Sequence, residues 1–120
     1  LTAVSDYWPG SISIEIPHSV NYLNQATGRQ AFRVVDDKEL VKVLNKTGPL
    51  VTSSANLPGQ PTSNTIDEAK KYFGNKISTY IDGGDLSGTQ ASTLIRVIDD
   101  IVEVIREGSV KIDASGRIVK

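Results

Sequence analysis

Between residues 11 and 16 apolar and polar side chains alternate strictly, with Ile12, Ile14 and Ile16 at every second position. Successive side chains of a strand point to opposite faces. This spacing therefore predicts a half-buried strand, ended by Pro17, which cannot extend a hydrogen-bonded ladder. Such a strand needs neighbours, and the chain offers several. Residues 31–35 read as a second strand, with Arg33 among apolar neighbours, after a polar and ambiguous stretch that turns at Gly28. Residues 92–98 and 101–106 read as two more, joined by Asp99-Asp100 as a tight hairpin. Shorter strands are expected at 49–52 and 78–81, and a last hairpin at 110–112 and 117–119 across Ala114-Ser115-Gly116.

Two helices separate these strands. Asp36 or Asp37 caps the first, which runs to about Lys46 with Leu40, Val43 and Leu44 on one face and Gly48 at the C′ position. The second opens at Thr65 with Glu68 three residues on, the capping-box spacing, and carries Ile66, Ala69 and Phe73 as its buried stripe before Gly74. The order predicts an α/β (α+β) fold: a mixed sheet with flanking helices, in one domain over residues 1–120.

The composition narrows the function classes. With 38% hydrophobic and 22% charged residues the chain is ordinary globular material. It has no cysteine, so disulfides and thiolate metal sites are excluded. No apolar run approaches the roughly 20 residues of a membrane span. The first ten residues carry no basic region or leader pattern, so a cytoplasmic protein without membrane contact is expected. The net charge of −1 gives no general attraction to nucleic acid, so any anion site must be local. The opening Leu-Thr-Ala-Val lacks an initiating Met and fits a fragment as well as a trimmed chain.

Four places carry candidate chemistry. Thr52-Ser53-Ser54-Ala55-Asn56, followed by Gly59, sets hydroxyls and an amide at the end of an apolar segment, where α/β sheets bind ligands. The same residues also suit a polar loop bonded to its own backbone. Gln90-Ala91-Ser92-Thr93 follows Gly83, Gly84 and Gly88, and reads either as a phosphate cradle or as a plain loop before a strand. Asp82 and Asp85 in that loop suit turn formation better than metal binding. Arg33, Arg96 and Arg106 lie in separate predicted strands, and either converge on an anion or face outward. Tyr7-Trp8-Pro9-Gly10 marks a turn with an aromatic anchor for the core. His18, the single histidine, is given no role.

In this order the pieces resemble the YrdC/YciO domain family, of the threonylcarbamoyl-AMP synthase type. Trp8-Pro9-Gly10-Ser11-Ile12-Ser13 is similar to its Trp-Pro-Gly-Pro-Leu-Thr element, and Ala31-Phe32-Arg33-Val34 to its arginine-bearing strand. Gly48 to Gly59 resembles the stretch holding its Ser-Ala-Asn-x-Ser-Gly signature. Asp82-Gly83-Gly84 with Gly88 and Ser92-Thr93 resembles its Gly-x-x-Ser-Thr loop, and Arg106-Glu107-Gly108 its closing Arg-x-Gly. The resemblance runs from Tyr7 to about Ile112. It implies an open, twisted α/β sheet. It also implies an ATP-binding nucleotidyltransferase that joins L-threonine, bicarbonate and ATP into threonylcarbamoyl-adenylate, releasing pyrophosphate. Partner enzymes then use that product in tRNA modification.

By the same resemblance Ser13, Ser54, Asn56, Ser92 and Arg106 line the nucleotide and threonyl site, with Arg33 a further anion contact. Magnesium accompanies ATP as substrate, with no permanent cofactor and no protein metal site. Pro58 departs from the signature's Ser, and Ser11 and Ser13 from Pro and Thr. The family's N-terminal Thr-Val-Tyr-Gly-Leu strand and Lys-x-Arg motif have no counterpart, so a partial domain unable to complete the synthase reaction alone is expected. Family members have also been described as double-stranded RNA binders and translation factors. The alternative is therefore a non-catalytic module binding nucleotide or double-stranded RNA. A carbamoyl-transferring relative from hydrogenase maturation, and a fragment that forms a homodimer through an exposed sheet edge, are further readings.

Overall fold

The computed structural model describes residues 4–23 and 26–120. In chain order these residues form strand β1 (Ile12–Pro17), strand β2 (Arg29–Phe32), helix α1 (Lys38–Thr47), helix α2 (Ile66–Phe73) with a 3-10 turn (Gly74–Lys76), and strands β3 (Thr93–Ile98) and β4 (Ile101–Arg106). The chain divides into two compact units, residues 1–48 with 90–120, and residues 49–89.

The first unit is built on a four-stranded mixed sheet in the order β2-β1-β3-β4. β1 runs antiparallel to β2 and parallel to β3, and β3 pairs antiparallel with β4. Register follows the isoleucine alternation of β1. Ile12 and Ile14 lie opposite Thr93 and Ile95, and these four side chains are buried on one face. With Tyr7 the three isoleucines form the hydrophobic core, against which Val4, Trp8, Val102, Val110 and Ile112 pack. Ile16, expected on the same face, is 37% exposed where β1 runs out at Pro17. The Trp8 indole N–H donates to Ile12 O at 2.8 Å, so the ring has both an apolar contact and a partner for its polar edge.

The expected hairpin forms. Asp99 and Asp100 take φ of 49° and 62°, the left-handed pair of a type I′ turn, whose twist matches that of the strands. The register then shifts between Leu94 and Ile95, so that Leu94 faces Arg106 and Ile95 faces Val104. This is a bulge in β4 at Ile105. The last hairpin is reduced to a single bridge, Ile112 with Ile118. Asp113 holds its turn, its Oδ1 accepting from the N–H groups of Ser115 and Arg117 and from the Ser115 hydroxyl.

Both helices start where the capping signals lie. Asp37 Oδ1 accepts from Leu40 N at 2.8 Å, and Gly48 N closes α1 on Leu44 O. Thr65 caps α2 by accepting from Glu68 N, while the Glu68 carboxylate reaches back to Asn64 N at 2.7 Å. This is the reciprocal geometry of a capping box, displaced by one residue. No residue of either helix is buried, and the expected stripe of Ile66, Ala69 and Phe73 is half-buried.

Three strand expectations are corrected. The second strand covers Arg29–Phe32 rather than 31–35, because its register is fixed by pairing Pro17 with Arg29 and Ile14 with Phe32. Residues 49–52 and 78–81 are not strands. Val51 and Ile81 are more than four-fifths exposed, and no described strand offers either segment a ladder. In the second unit turns and side chains do the holding instead. The Tyr72 hydroxyl donates to Pro61 O, the Tyr80 hydroxyl to Gly74 O, and Leu86 N to Asn64 O.

Candidate functional site

The sheet has a face opposite the isoleucine core, and the polar residues of β1 and β3 point to it. Ser13 and Glu15 alternate with Ile12 and Ile14, while Leu94 and Arg96 alternate with Thr93 and Ile95. Across the register this face carries two rows, Ser13–Leu94–Arg106 and Glu15–Arg96–Glu103.

In the first row three of the sequence-predicted residues come together. Ser13 Oγ and Ser92 Oγ are 2.9 Å apart, although 79 positions separate them in the chain. Arg106 reaches from β4 to the residue just before β3, its Nη2 donating to Ser92 O at 2.9 Å and to Ser92 Oγ at 3.3 Å. Its Nε also donates to Ser92 O, at 3.3 Å. The guanidinium is exposed, and among the described residues no carboxylate forms an ion pair with it. It is a cation oriented by neutral acceptors, with N–H groups left over for an incoming anion. Beside the backbone of this cluster lies a shallow depression of about 460 Å³, lined by Gln90, Ala91, Glu107, Gly108 and Lys111.

Arg96 behaves differently. Its Nη2 donates to both oxygens of Glu15, at 3.0 and 3.1 Å, and its Nη1 lies 3.8 Å from Glu103. Two carboxylates already claim this guanidinium, so it is a cross-strand tie rather than an anion contact. Arg33, expected within a strand, stands one residue beyond the end of β2. It is exposed, and Val34 just after it accepts from Gly10 N at 2.8 Å.

Ser54 and Asn56 belong to the second unit and make local bonds there. Asn56 N donates to Ser54 O, and Asn56 Nδ2 to Leu57 O at 2.9 Å. Ala55 O between them accepts both the N–H and the hydroxyl of Ser63, which ties the loop back on itself. Asn56 Oδ1 is shielded from solvent without a hydrogen-bond partner.

Sequence reading gave no separate weight to Thr93, which is fully buried. Its hydroxyl donates to Val110 O and accepts from Gly108 N at 3.1 Å and Val110 N at 3.2 Å. Ser109 N adds a bond to Ala91 O at 2.9 Å. The signal was present as a hydroxyl residue in phase with the core isoleucines. Among the described residues no group of three His, Cys, Asp or Glu side chains is placed to hold a metal ion, and no helix is long and apolar enough to cross a membrane.

A threonylcarbamoyl-AMP synthase of Pseudomonas aeruginosa is 31% identical over 99 residues, covering 80% of this chain and 53% of that one. A Mycobacterium leprae protein provisionally named for the same enzyme is 30% identical over 109 residues, covering 88% of this chain and 50% of that one. The chain thus spans about half the length of the curated relatives it matches. Among solved structures, P. abyssi Sua5 complexed with L-threonine superposes with a TM-score of 0.75 at 24% identity, over 91% of this chain and 33% of that one. E. coli YciO superposes with a TM-score of 0.68 at 23% identity, over 90% and 55%. These two likenesses establish the fold. Residues 1–108 match the model of the Sua5–YciO–YrdC family, described as "Telomere recombination", and the chain belongs to that family.

Proposed function

We propose that this chain supplies part of the nucleotide and threonyl site of a threonylcarbamoyl-AMP synthase. The reaction joins L-threonine, bicarbonate and ATP into threonylcarbamoyl-adenylate, releasing water as bicarbonate carboxylates the threonine amine and pyrophosphate as the carbamate is adenylated. The observation that carries the reading is Arg106, exposed on the sheet face opposite the isoleucine core, aligned by Ser92 and without a carboxylate partner among the described residues. The names of the relatives support the choice of reaction.

In this mechanism the carboxylated threonine attacks the α-phosphorus of ATP and pyrophosphate leaves. Negative charge builds on the α-phosphate oxygens, and a fixed guanidinium stabilises it without having to reorganise. Ser13 and Ser92 orient oxygens of the same anion, which is the positioning part of catalysis. Arg33 is proposed as a further contact to nucleotide or threonyl oxygens, and Ser54 and Asn56, within the second unit by itself, as polar groups able to hold such oxygens. Magnesium would enter bound to the ATP phosphates. The product would serve tRNA modification by a partner enzyme. The net charge of −1 and the Glu15–Arg96–Glu103 row weigh against the alternative of a double-stranded RNA binder, which needs clustered free cations.

Calorimetric titration of this chain with ATP and with L-threonine tests the proposal, paired with Arg106→Ala. Wild-type binding that falls at least about tenfold in the variant is expected, the scale of losing charged hydrogen bonds. No binding of either ligand, or equal binding by the variant, removes the reading. Pyrophosphate release dependent on ATP and threonine, assayed on the same chain, then shows whether these 120 residues turn over alone, where none is expected.

A further inference from the structure

We infer that Thr93 is a positioning residue, whose hydroxyl on the isoleucine face of the sheet fixes where the Arg106 guanidinium stands on the opposite face. The role in ligand binding rests on the function proposed above; the geometric claim does not.

Thr93 lies between Ile12 and Ile95 and has no exposed surface. A hydroxyl buried there is costly unless its hydrogen bonds are made. Its single donor goes to Val110 O, and its acceptor capacity to the N–H groups of Gly108 and Val110. All three partners lie on the five-residue segment that begins at Arg106. Thr93 N itself donates to Ser11 O at 3.0 Å, two residues before Ser13. The buried side chain of Thr93 thus ties the segment after Arg106 to the start of β3 beside Ser92, and its backbone N–H ties that same residue to the start of β1 before Ser13.

The leverage is short. Only Glu107 separates Arg106 from Gly108, whose N–H Thr93 holds. Gly108 also lies against the Ala91 and Ser92 carbonyls, so the segment cannot slide toward β3. If the hydroxyl is lost, the segment can drift outward and carry the Arg106 backbone with it. The Nη2 and Nε bonds to Ser92 O would then lengthen.

The test compares wild type, Thr93→Ser, which keeps the hydroxyl, and Thr93→Val, which keeps the shape. The first readout needs no ligand: the Arg106 Nε–H resonance and its solvent exchange, measured by NMR on folded protein. The expected result is slow exchange in wild type and Thr93→Ser, and exchange at least about tenfold faster in Thr93→Val, as for a hydrogen bond lost to water. The second readout is ATP affinity, expected to fall by a similar factor in Thr93→Val alone. Ile14→Val, a core change on the same face that removes none of these hydroxyl bonds, should lower the melting temperature and leave both readouts in place. If Thr93→Val does not fold, Thr93→Cys, of similar size and a weaker donor, takes its place. Arg106 exchange unchanged in the hydroxyl-deficient variant, or Thr93→Ser as disturbed as Thr93→Val, overturns the inference. Wild type that binds no ATP yet shows the exchange pattern sinks the proposed function and keeps the positioning role.

Discussion

Gly108→Ala should be among the most damaging small substitutions in this chain. A Cβ at position 108 would stand 2.6 Å from Ser92 C and 2.7 Å from Ser92 O, and nearer still to Ala91 O. All three are backbone atoms, so no flexible side-chain end can swing away. The methyl group must push two segments apart. They are joined by Gly108 N to Thr93 Oγ1 at 3.1 Å and Ser109 N to Ala91 O at 2.9 Å. Overpacking of this kind costs about 1–3 kcal/mol. Weakening two hydrogen bonds adds about 0.5–1.5 kcal/mol each. The sum is about 2–6 kcal/mol, a large share of the roughly 5–15 kcal/mol that holds a domain together. Gly83→Ala is the matched control, since its Cβ would meet nothing within 4 Å and its φ lies outside the left-handed region. There the smaller unfolded-state entropy of Ala leaves stability unchanged or raised by less than about 1 kcal/mol. Urea denaturation of both variants measures the difference. Gly108→Ala within about 0.5 kcal/mol of wild type would refute the packing argument, because surface substitutions fall in that range.

Three other outcomes follow from the same coordinates. Arg96→Ala leaves Glu15, whose side chain is only 16% exposed, without its two charged hydrogen bonds; the loss should be about 1.5–3 kcal/mol by urea denaturation, and Glu15→Gln should recover part of it in the Arg96→Ala background. Asp100→Gly places the residue that best tolerates positive φ at the second turn position, where φ is 62°, and should raise stability by about 1 kcal/mol, seen as a melting point a few degrees higher. The turn at Asp113 should fail at both pH extremes. The Ser115 hydroxyl, then the Arg117 N–H, hold the Asp113 carboxyl below its usual range. Its contribution is therefore complete above about pH 4 and lost as pH falls through the depressed folded value. Burial, then the Asp6 and Asp113 carboxylates, push the Tyr7 hydroxyl up, and it donates to Gly116 O in the same turn. That contribution is complete below about pH 10 and lost as pH rises through the raised value. Amide exchange at Arg117 and Val119 should rise at each extreme. Asp113→Asn should remove the acid limb and Tyr7→Phe the alkaline one.

Elements with a local cause were legible in the sequence. The isoleucine alternation, the Asp37 and Thr65 caps and the Asp99-Asp100 turn each act within a few residues, and each forms where its signal lies. Strands at 49–52 and 78–81 were not decidable in this way. An apolar run becomes a strand only when another backbone accepts its hydrogen bonds, and no described strand does so for Val51 or Ile81. The second strand was displaced for a related reason. Its own composition favoured 31–35, whereas the ladder with β1 settled on Arg29–Phe32 and left Arg33 outside.

The arginines show why residue type alone cannot name a site. Arg96 and Arg106 both lie in strands and each follows two apolar residues, in the local sequences Leu-Ile-Arg-Val and Val-Ile-Arg-Glu. What separates them is which residue the register sets across the sheet. β1 runs parallel to β3 with Glu15 beside Arg96, and β4 returns with Glu103 on the other side, so that charge is spent within the fold. One row away the same register puts Ser13 and Leu94 in line with Arg106, and offers it only hydroxyl and carbonyl oxygens. The bulge at Ile105 maintains the difference. Without that extra residue the pairing of Ile95 with Val104 would continue to Leu94 with Ile105. Every β4 residue beyond the bulge would then turn to the other face, and Arg106 would leave the row that contains Ser13.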